Sequence, residues 1–319
     1  METVIIDGLS FALPLFIMAI GGIFSERSGI INLAIEGLQG FGAFFAALSI
    51  VLINHYFATP LQSLFYPALL LSMVGGMLFA TIHALLCIRF RANQVISGVV
   101  VNILSMAVTI FLATQINSIV FNTLSNRFNI GTSSRFTIEA LAGIPLIGSA
   151  FKNIYPFQVV ILMIAVFAAY ALNKSKFGLR LRACGDNPHS VDAAGVEVSR
   201  IQFLAVLVSG ALSGLGGISF AYSISTNFSP AIYMGYGYLA IAALIFGNWK
   251  IVPTFGACLL FGFARSGGYY IARLLEMPST FSDVIMTLPY VVTLLLLMFF
   301  SKTNQAPRAL GEIYDKGKR

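Results

Sequence analysis

Charge is what this sequence has least of. Asp, Glu, Lys and Arg make up 10% of its 319 residues, while apolar types make up 58%. A soluble domain carries about 25% charged and about 45–50% apolar residues, so an ordinary soluble globule is excluded. Cysteine is scarce as well. Cys87, Cys184 and Cys258 are far apart and follow no metal or redox spacing. Two lie in apolar runs and one in a basic loop, which argues against structural disulfides. The three histidines, His55, His83 and His189, do not cluster, and no carboxylate set joins them, so no metal centre is expected. The phosphate-loop pattern GxxxxGK[ST] and the metalloprotease pattern HExxH are both missing. The chain thus has no ATPase engine by that route and no enzyme or cofactor set of its own. Its start, METVIIDG, has no basic segment ahead of the apolar run, so no cleavable signal peptide is expected.

What is present is a succession of apolar runs. A bilayer core needs roughly 20 apolar residues of helix. Candidate spans are 8–24, 30–53, 63–88, 95–119, 156–173, 200–222, 237–248, 251–273 and 284–301. The run 237–248 is short for a crossing. It reads as a half-helix, or as one arm of a re-entrant pair with the next run, joined at Gly247-Asn248-Trp249-Lys250. The fold class is all-α: a polytopic integral membrane protein with about nine transmembrane helices (eight to ten are compatible), some broken or re-entrant. Residues 1–301 form the transmembrane domain and 302–319 a C-terminal tail.

Basic residues sit where loops should face the cytoplasm. Arg89 and Arg91 share one short loop, and Lys302, Arg308, Lys316, Lys318 and Arg319 lie in the tail. The connections 54–62 and 223–236 hold no charge, and the polar excursion 120–155 holds only Arg127, Arg135 and Lys152 as bases. These should be external. The pattern requires an odd number of crossings in a cell membrane, with the N-terminus outside and the C-terminus inside. The net charge of +7 reports contact with anionic membrane lipid rather than with nucleic acid.

The island 174–200, KSKFGLRLRACGDNPHSVDAAGVEVSR, carries five of the 19 bases. It also carries helix signals: Asn187 as N-cap, Pro188 as first helical residue, and Gly195 as the left-handed residue past the end. A connector needs no such helix, so the island reads as a docking element.

Two further motifs interrupt apolar sequence. In FSERSGIINLAIEGLQG (24–40), Glu26, Arg27, Asn32 and Glu36 fall at or near membrane depth, and Ser28-Gly29 can break the helix. Ionisable groups there face a cavity, a partner or a pathway. Asn32 and Glu36, four apart, would share one helical face. One reading makes this a water-exposed turn at Glu26–Arg27 with a packed polar stripe; the other lines a solute path. The stripe Ser209, Gly210, Ser213, Gly214, Gly216 and Gly217 reads as close helix packing. In YSISTNFSPAIYMGYGY (222–238), Tyr222, Phe228, Tyr233, Tyr236 and Tyr238 read as an interfacial belt, or as an external mouth that could stack a planar solute. Arg265 lies deeper in its span than Arg273 and joins Asn32, Glu36 and Asn102 as a candidate for the translocation path.

FSERSGIINLAIEG (24–37), RANQVISGVVVNIL (91–104) and GLRLRACGDNPHSVDAAGV (178–196), in order along the chain, resemble the permease subunits of bacterial ABC importers of the branched-chain amino acid, ribose and nucleoside superfamily. The resemblance covers nearly the whole chain and is greatest to the shorter permease of nucleoside uptake systems. It implies a heteromeric importer: a homologous sister permease, a cytoplasmic ABC ATPase that holds ATP and Mg, and an extracytoplasmic solute-binding lipoprotein. It also implies that the loop Asp186, Asn187, Pro188, His189, Ser190, Val191, Asp192, Ala193, Ala194, Gly195 and Val196 is the helix coupled to the ATPase. Ribose-type permeases begin with a further N-terminal span that this sequence lacks, in keeping with the external N-terminus. The small-molecule solute expected is a nucleoside. The alternatives are a permease for a simple sugar or a branched-chain amino acid, or a secondary transporter, which would gain nothing from the docking helix.

Overall fold

Each of the nine apolar runs forms a helix, because in lipid only a helix satisfies a lone segment's backbone. The computed structural model describes residues 2–144, 148–231, 234–278, 284–285, 287–300 and 305–315, with backbone only at 296, 297, 299 and 300. Tyr233, Lys302, Lys316, Lys318, Arg319 and parts of the run 284–301 lie outside the described residues. The helices are α1 (Glu2–Arg27), α2 (Ile35–Phe57), α3 (Phe65–Ala84, continued by a π-turn Leu85–Arg89), α4 (Gln94–Phe121), α5 (Pro156–Lys174), α6 (Lys176–Asp186), α7 (Pro188–Ala193), α8 (Val198–Ile224), α9 (Tyr236–Phe246), α10 (Ile251–Leu274) and α11 (Leu288–Phe300). Among the described residues, seven are long and apolar enough to cross a membrane. The 11-residue α9 is not. It spans about 16 Å, half a bilayer core, as its length in sequence foretold.

The bundle has two distinct ends. At one, β1 (Phe128–Asn129) pairs antiparallel with β2 (Asn227–Phe228), tying the excursion 120–155 to the connection after α8. Glu2 forms an ion pair with Lys152 at the same end. At the other lie the loop after α3, the island and the tail: Ala309 N–H donates to the Gly185 carbonyl at 2.8 Å and Asp315 pairs with Arg91 at 3.0 Å. The tail is therefore not a free appendage. The island also holds more structure than its one expected helix, because Ser175 accepts from Gly178 N–H and starts α6 directly after α5.

At the centre α8 lies against α1, α2 and α3, and its small residues permit a backbone approach that side chains would forbid. A Cβ on Gly210 would collide with the Gly76 carbonyl, and one on Gly214 with the Ser72 carbonyl. The stripe is thus a packing surface, where close van der Waals contact replaces the hydrophobic drive that lipid removes. Gly256 of α10, by contrast, has open space around its Cβ position. Gly210→Leu should destabilise the detergent-purified protein by about 3 kcal/mol, as overpacking does. Gly256→Leu should leave the thermal unfolding midpoint within error of wild type. Equal midpoints for both variants would contradict this packing account.

Candidate functional site

The chain between α1 and α2 is not helical, and residues 28–34 lie buried or half-buried inside the bundle. Ser28-Gly29 does break the helix, with Gly29 at φ +97°. Broken backbone in an apolar bundle must find polar partners, and it finds them one by one. Ile31 N–H donates to Gln94 Oε1 at 2.7 Å, and its carbonyl sits 3.1 Å from His83 Nε2. Gln202 Nε2 donates to the Ser28 carbonyl at 3.1 Å. Asn102 Nδ2 donates to the Leu33 carbonyl at 2.8 Å, and its Oδ1 accepts from Gly37 N–H at 2.7 Å. Gly311 N–H of the tail donates to the Gly29 carbonyl at 3.0 Å.

Two sequence expectations are corrected here. Asn32 and Glu36 do not share a helical face, because α2 starts only at Ile35. Asn32 is fully buried and donates to Ser209 Oγ at 2.8 Å, while its Oδ1 accepts from Ala34 N–H at 3.2 Å. It supports the break and is not among the residues that line the cavities described below. Glu26 is not in water either. It is buried, and its carboxyl accepts from Trp249 Nε1 at 2.6 Å, while Arg27 Nε donates to the Trp249 carbonyl at 3.0 Å.

Glu36 meets the other end of the same half-helix. Its carboxyl oxygens accept from Gly235 N–H and Gly237 N–H, each at 2.6 Å, and from Gln39 Nε2 at 3.0 Å. A carboxyl on these free N–H groups is the favoured arrangement at a helix start. A side chain on Gly237 would run into the Glu36 backbone. So α9 is held at its start by Glu36 and beyond its end by Glu26 and Arg27.

Glu36, Asn102 and Tyr238 line a cavity of about 340 Å³, with Met234 at its edge. Met234 also borders a second cavity of about 370 Å³, walled by Phe11, Tyr236, Leu239, Tyr290 and Arg265. Arg265 and Phe11 in turn line a third of about 270 Å³, with Asp7, Arg135, Tyr155 and Ser223. Three of the four path candidates therefore border a chain of cavities, and Asn32 does not. Tyr236 and Tyr238 border it as well. Tyr222 and Phe228, read as part of an interfacial belt or an external mouth, are instead buried at 2% and 0% exposure. They sit in core aromatic packing against Phe65 and Phe44. Gln94, His83 and Gln202 went unnoticed in the sequence, since single polar residues in apolar runs give no periodic signal.

At the basic end, α7 has the expected caps. Asn187 Oδ1 accepts from Ser190 N–H at 3.0 Å, Pro188 opens the helix, and Gly195 has φ +77°. Pro188 and Val191 are buried. Asp186, Asn187, His189, Ser190, Ala193, Ala194 and Gly195 are exposed, while Asp192 and Val196 are half-buried. Gly185 presses on the Arg27 carbonyl so closely that a Cβ there would collide. The Tyr314 ring of the tail packs at a tilt against His189, with centroids 5.4 Å apart. Among the described residues, no group of three His, Cys, Asp or Glu could hold a metal.

The family described as branched-chain amino acid transport system, permease component, matches residues 4–300. The chain is 36% identical, over 98% of its own length and 96% of the relative's, to the guanosine ABC transporter permease protein NupQ of Bacillus subtilis (strain 168). It is 34% identical, over 100% of its length and 98% of the relative's, to the nucleoside ABC transporter permease protein NupC of Lactococcus lactis subsp. cremoris (strain MG1363). A third relative, the guanosine ABC transporter permease protein NupP of the same Bacillus, is 26% identical over 95% of this chain and 82% of that one.

The Glu36 geometry fixes an order of stabilities. Glu36→Leu leaves two buried N–H donors unmet, at about 1–3 kcal/mol each, whereas Glu36→Gln keeps one acceptor oxygen and should lose about half as much. Thermal unfolding of the purified protein should rank wild type above Glu36→Gln above Glu36→Leu. A Glu36→Leu midpoint equal to wild type would show that the carboxyl does not hold α9.

Proposed function

This chain belongs to the branched-chain amino acid transport system permease family, and we propose that it is the membrane subunit of an ATP-driven importer that passes nucleosides across the cell membrane. The observation that carries the substrate class is full-length similarity at 36% and 34% identity to relatives named as guanosine and nucleoside permeases. A homologous sister permease completes the membrane unit. Similarity of this one chain to both NupQ and NupP of one organism supports such pairing. A separate cytoplasmic ATPase binds ATP and Mg²⁺, and an extracytoplasmic lipoprotein captures solute. The chain itself hydrolyses nothing.

The basic end faces the cytoplasm, because Lys and Arg are retained on that side. The ribbon end, with the N-terminus, faces out. Residues 186–196 dock on the ATPase through the exposed side of α7, while buried Pro188 and Val191 fasten it to the bundle. ATP-driven closure pushes on α7 and α6. Gly185 presses that push onto the end of α1, whose Glu26 and Arg27 hold the turn after α9. The half-helix α9 borders the Glu36 and Arg265 cavities, so its displacement changes the width of the passage. A neutral nucleoside meets amides, hydroxyls and rings there without demanding a counter-charge, and weak contacts suffice because capture occurs outside.

Uptake by the complete transporter in proteoliposomes tests the substrate class. Labelled nucleosides should enter with ATP, and ribose and leucine should not; import of ribose or leucine alone would replace this reading with the sugar or amino acid one.

Orientation has its own test. The native thiols are buried, and burial pushes the Cys184 thiol up to about 11, so background labelling is low. A membrane-impermeant thiol reagent on intact cells should label Leu124→Cys and spare Ser190→Cys; the reverse pattern would invert the topology.

Coupling is tested at Gly195. Valine in its left-handed conformation costs roughly 1–2 kcal/mol and loosens the end of α7. Gly195→Val should raise the ATP hydrolysed per nucleoside imported several-fold in an assembled complex. An unchanged ratio would count against docking through α7.

A further inference from the structure

Arg265 is a path candidate whose hydrogen-bonding capacity the described residues leave mostly unused. It sits within α10, on the wall shared by the cavities of about 270 and 370 Å³. Among the described residues no carboxylate lies within ion-pair distance of it, and its Nη2 makes one long hydrogen bond, donating to Tyr236 Oη at 3.5 Å. The guanidinium instead lies over the Phe11 ring at 4.4 Å, with the Tyr269 and Tyr236 rings at 5.4 and 5.9 Å. An arginine in a membrane span is costly and needs an answering group. Aromatic faces answer its charge in part and hold its plane, but its N–H edge is left to whatever enters the cavity.

The chemistry of that edge is restrictive. A guanidinium only donates, through two parallel N–H groups. It therefore recognises two adjacent acceptors on a planar group. Among purines, a 6-oxo base offers adjacent acceptors at O6 and N7, whereas a 6-amino base puts a donor beside N7. The inner cavity suits a base in other respects. Its volume of about 370 Å³ falls within the usual range of about 300–1,000 Å³ for small-ligand sites. Phe11, Tyr236 and Tyr290 supply ring walls, and Met234 opens toward Glu36 and Asn102, which can meet the sugar hydroxyls.

We propose that Arg265, walled by Phe11, Tyr236 and Tyr290, is the point in the passage that reads the base, favouring 6-oxo over 6-amino purine nucleosides. The inference rests on the nucleoside reading above and adds a selectivity that the permease itself imposes. Glutamine presents a donor beside an acceptor, the pattern that matches adenine N7 and N6, so Arg265→Gln does more than delete a group. It should invert the preference.

The experiment is competitive uptake of inosine and adenosine by the complete transporter in proteoliposomes, with one preparation of binding protein for every variant. That protein's own selectivity is then common to all and cancels in ratios. Relative to wild type, Arg265→Gln should shift the inosine-to-adenosine ratio about tenfold or more toward adenosine. Arg265→Lys keeps the charge, loses the planar fork, and should shift the ratio less. Arg273→Gln, at an exposed position further along α10, should not shift it. Ratios equal to wild type in Arg265→Gln and Arg265→Lys, whatever the total uptake, overturn the proposal and leave Arg265 a structural group. Failure of the wild type to import either nucleoside instead overturns the nucleoside reading, which the ribose and leucine arms register separately.

Discussion

Backbone that is not helical cannot be left bare inside an apolar bundle, and this constraint governs the molecule. Residues 28–34 enter the bundle without a helix of their own, so other elements must supply partners for their N–H and C=O groups. Gln94 and Asn102 come from α4, His83 from α3, Gln202 from α8 and Gly311 from the tail. Each is an otherwise unexpected polar group in an apolar run or a folded-back tail. Leaving any one of these backbone groups unmet costs about 1–3 kcal/mol, so the break fixes the relative positions of these three helices and the tail. The three motifs that carried the family resemblance are in physical contact here. The first contains the break, the second contains Gln94 and Asn102, and the third packs Gly185 on Arg27.

The same break sets the position of α9. The half-helix cannot span the bilayer, so both of its ends lie where orphan backbone groups need partners. The two carboxyls flanking the break provide for it, Glu36 at the start and Glu26, through Trp249, beyond the end. A movement at the island must therefore be shared among α1, the break and α9, since they have no slack between them. Paired interrupted helices are also a feature of secondary transporters. That geometry alone does not separate the classes; the capped α7 and the family match do.

Much of this was legible in the sequence, where local chemistry decides. Nine apolar runs gave nine helices, the short run at 237–248 gave a half-helix, and Asn187, Pro188 and Gly195 took their expected cap positions. Ser28-Gly29 broke the helix as glycine allows. Long-range pairing was not legible. Asn32 and Glu36 are four apart, yet α2 starts between them, because backbone satisfied from other helices need not continue its own. A water-exposed Glu26 was one of two readings open, because nothing local reveals Trp249, 223 positions away. Tyr222 and Phe228 read as a belt but pack inward, because the β1–β2 ribbon covers that end of the bundle.

The distribution of charge across the bundle follows from these pairings. Glu26 and Glu36 are both answered by N–H donors of the segments flanking α9. Arg265 has aromatic faces but no carboxylate within ion-pair distance among the described residues. What a solute meets is amide and hydroxyl groups, rings, the Glu36 carboxyl, and the charged Asp7, Arg135 and Arg265 of the third cavity. Such a lining offers donors, acceptors and ring faces. It accommodates a neutral molecule with acceptors on a flat ring and hydroxyls elsewhere, held loosely enough to leave. Driving such a solute against a gradient then needs energy from outside the passage, and on the proposed reading the exposed face of α7 is where it is delivered.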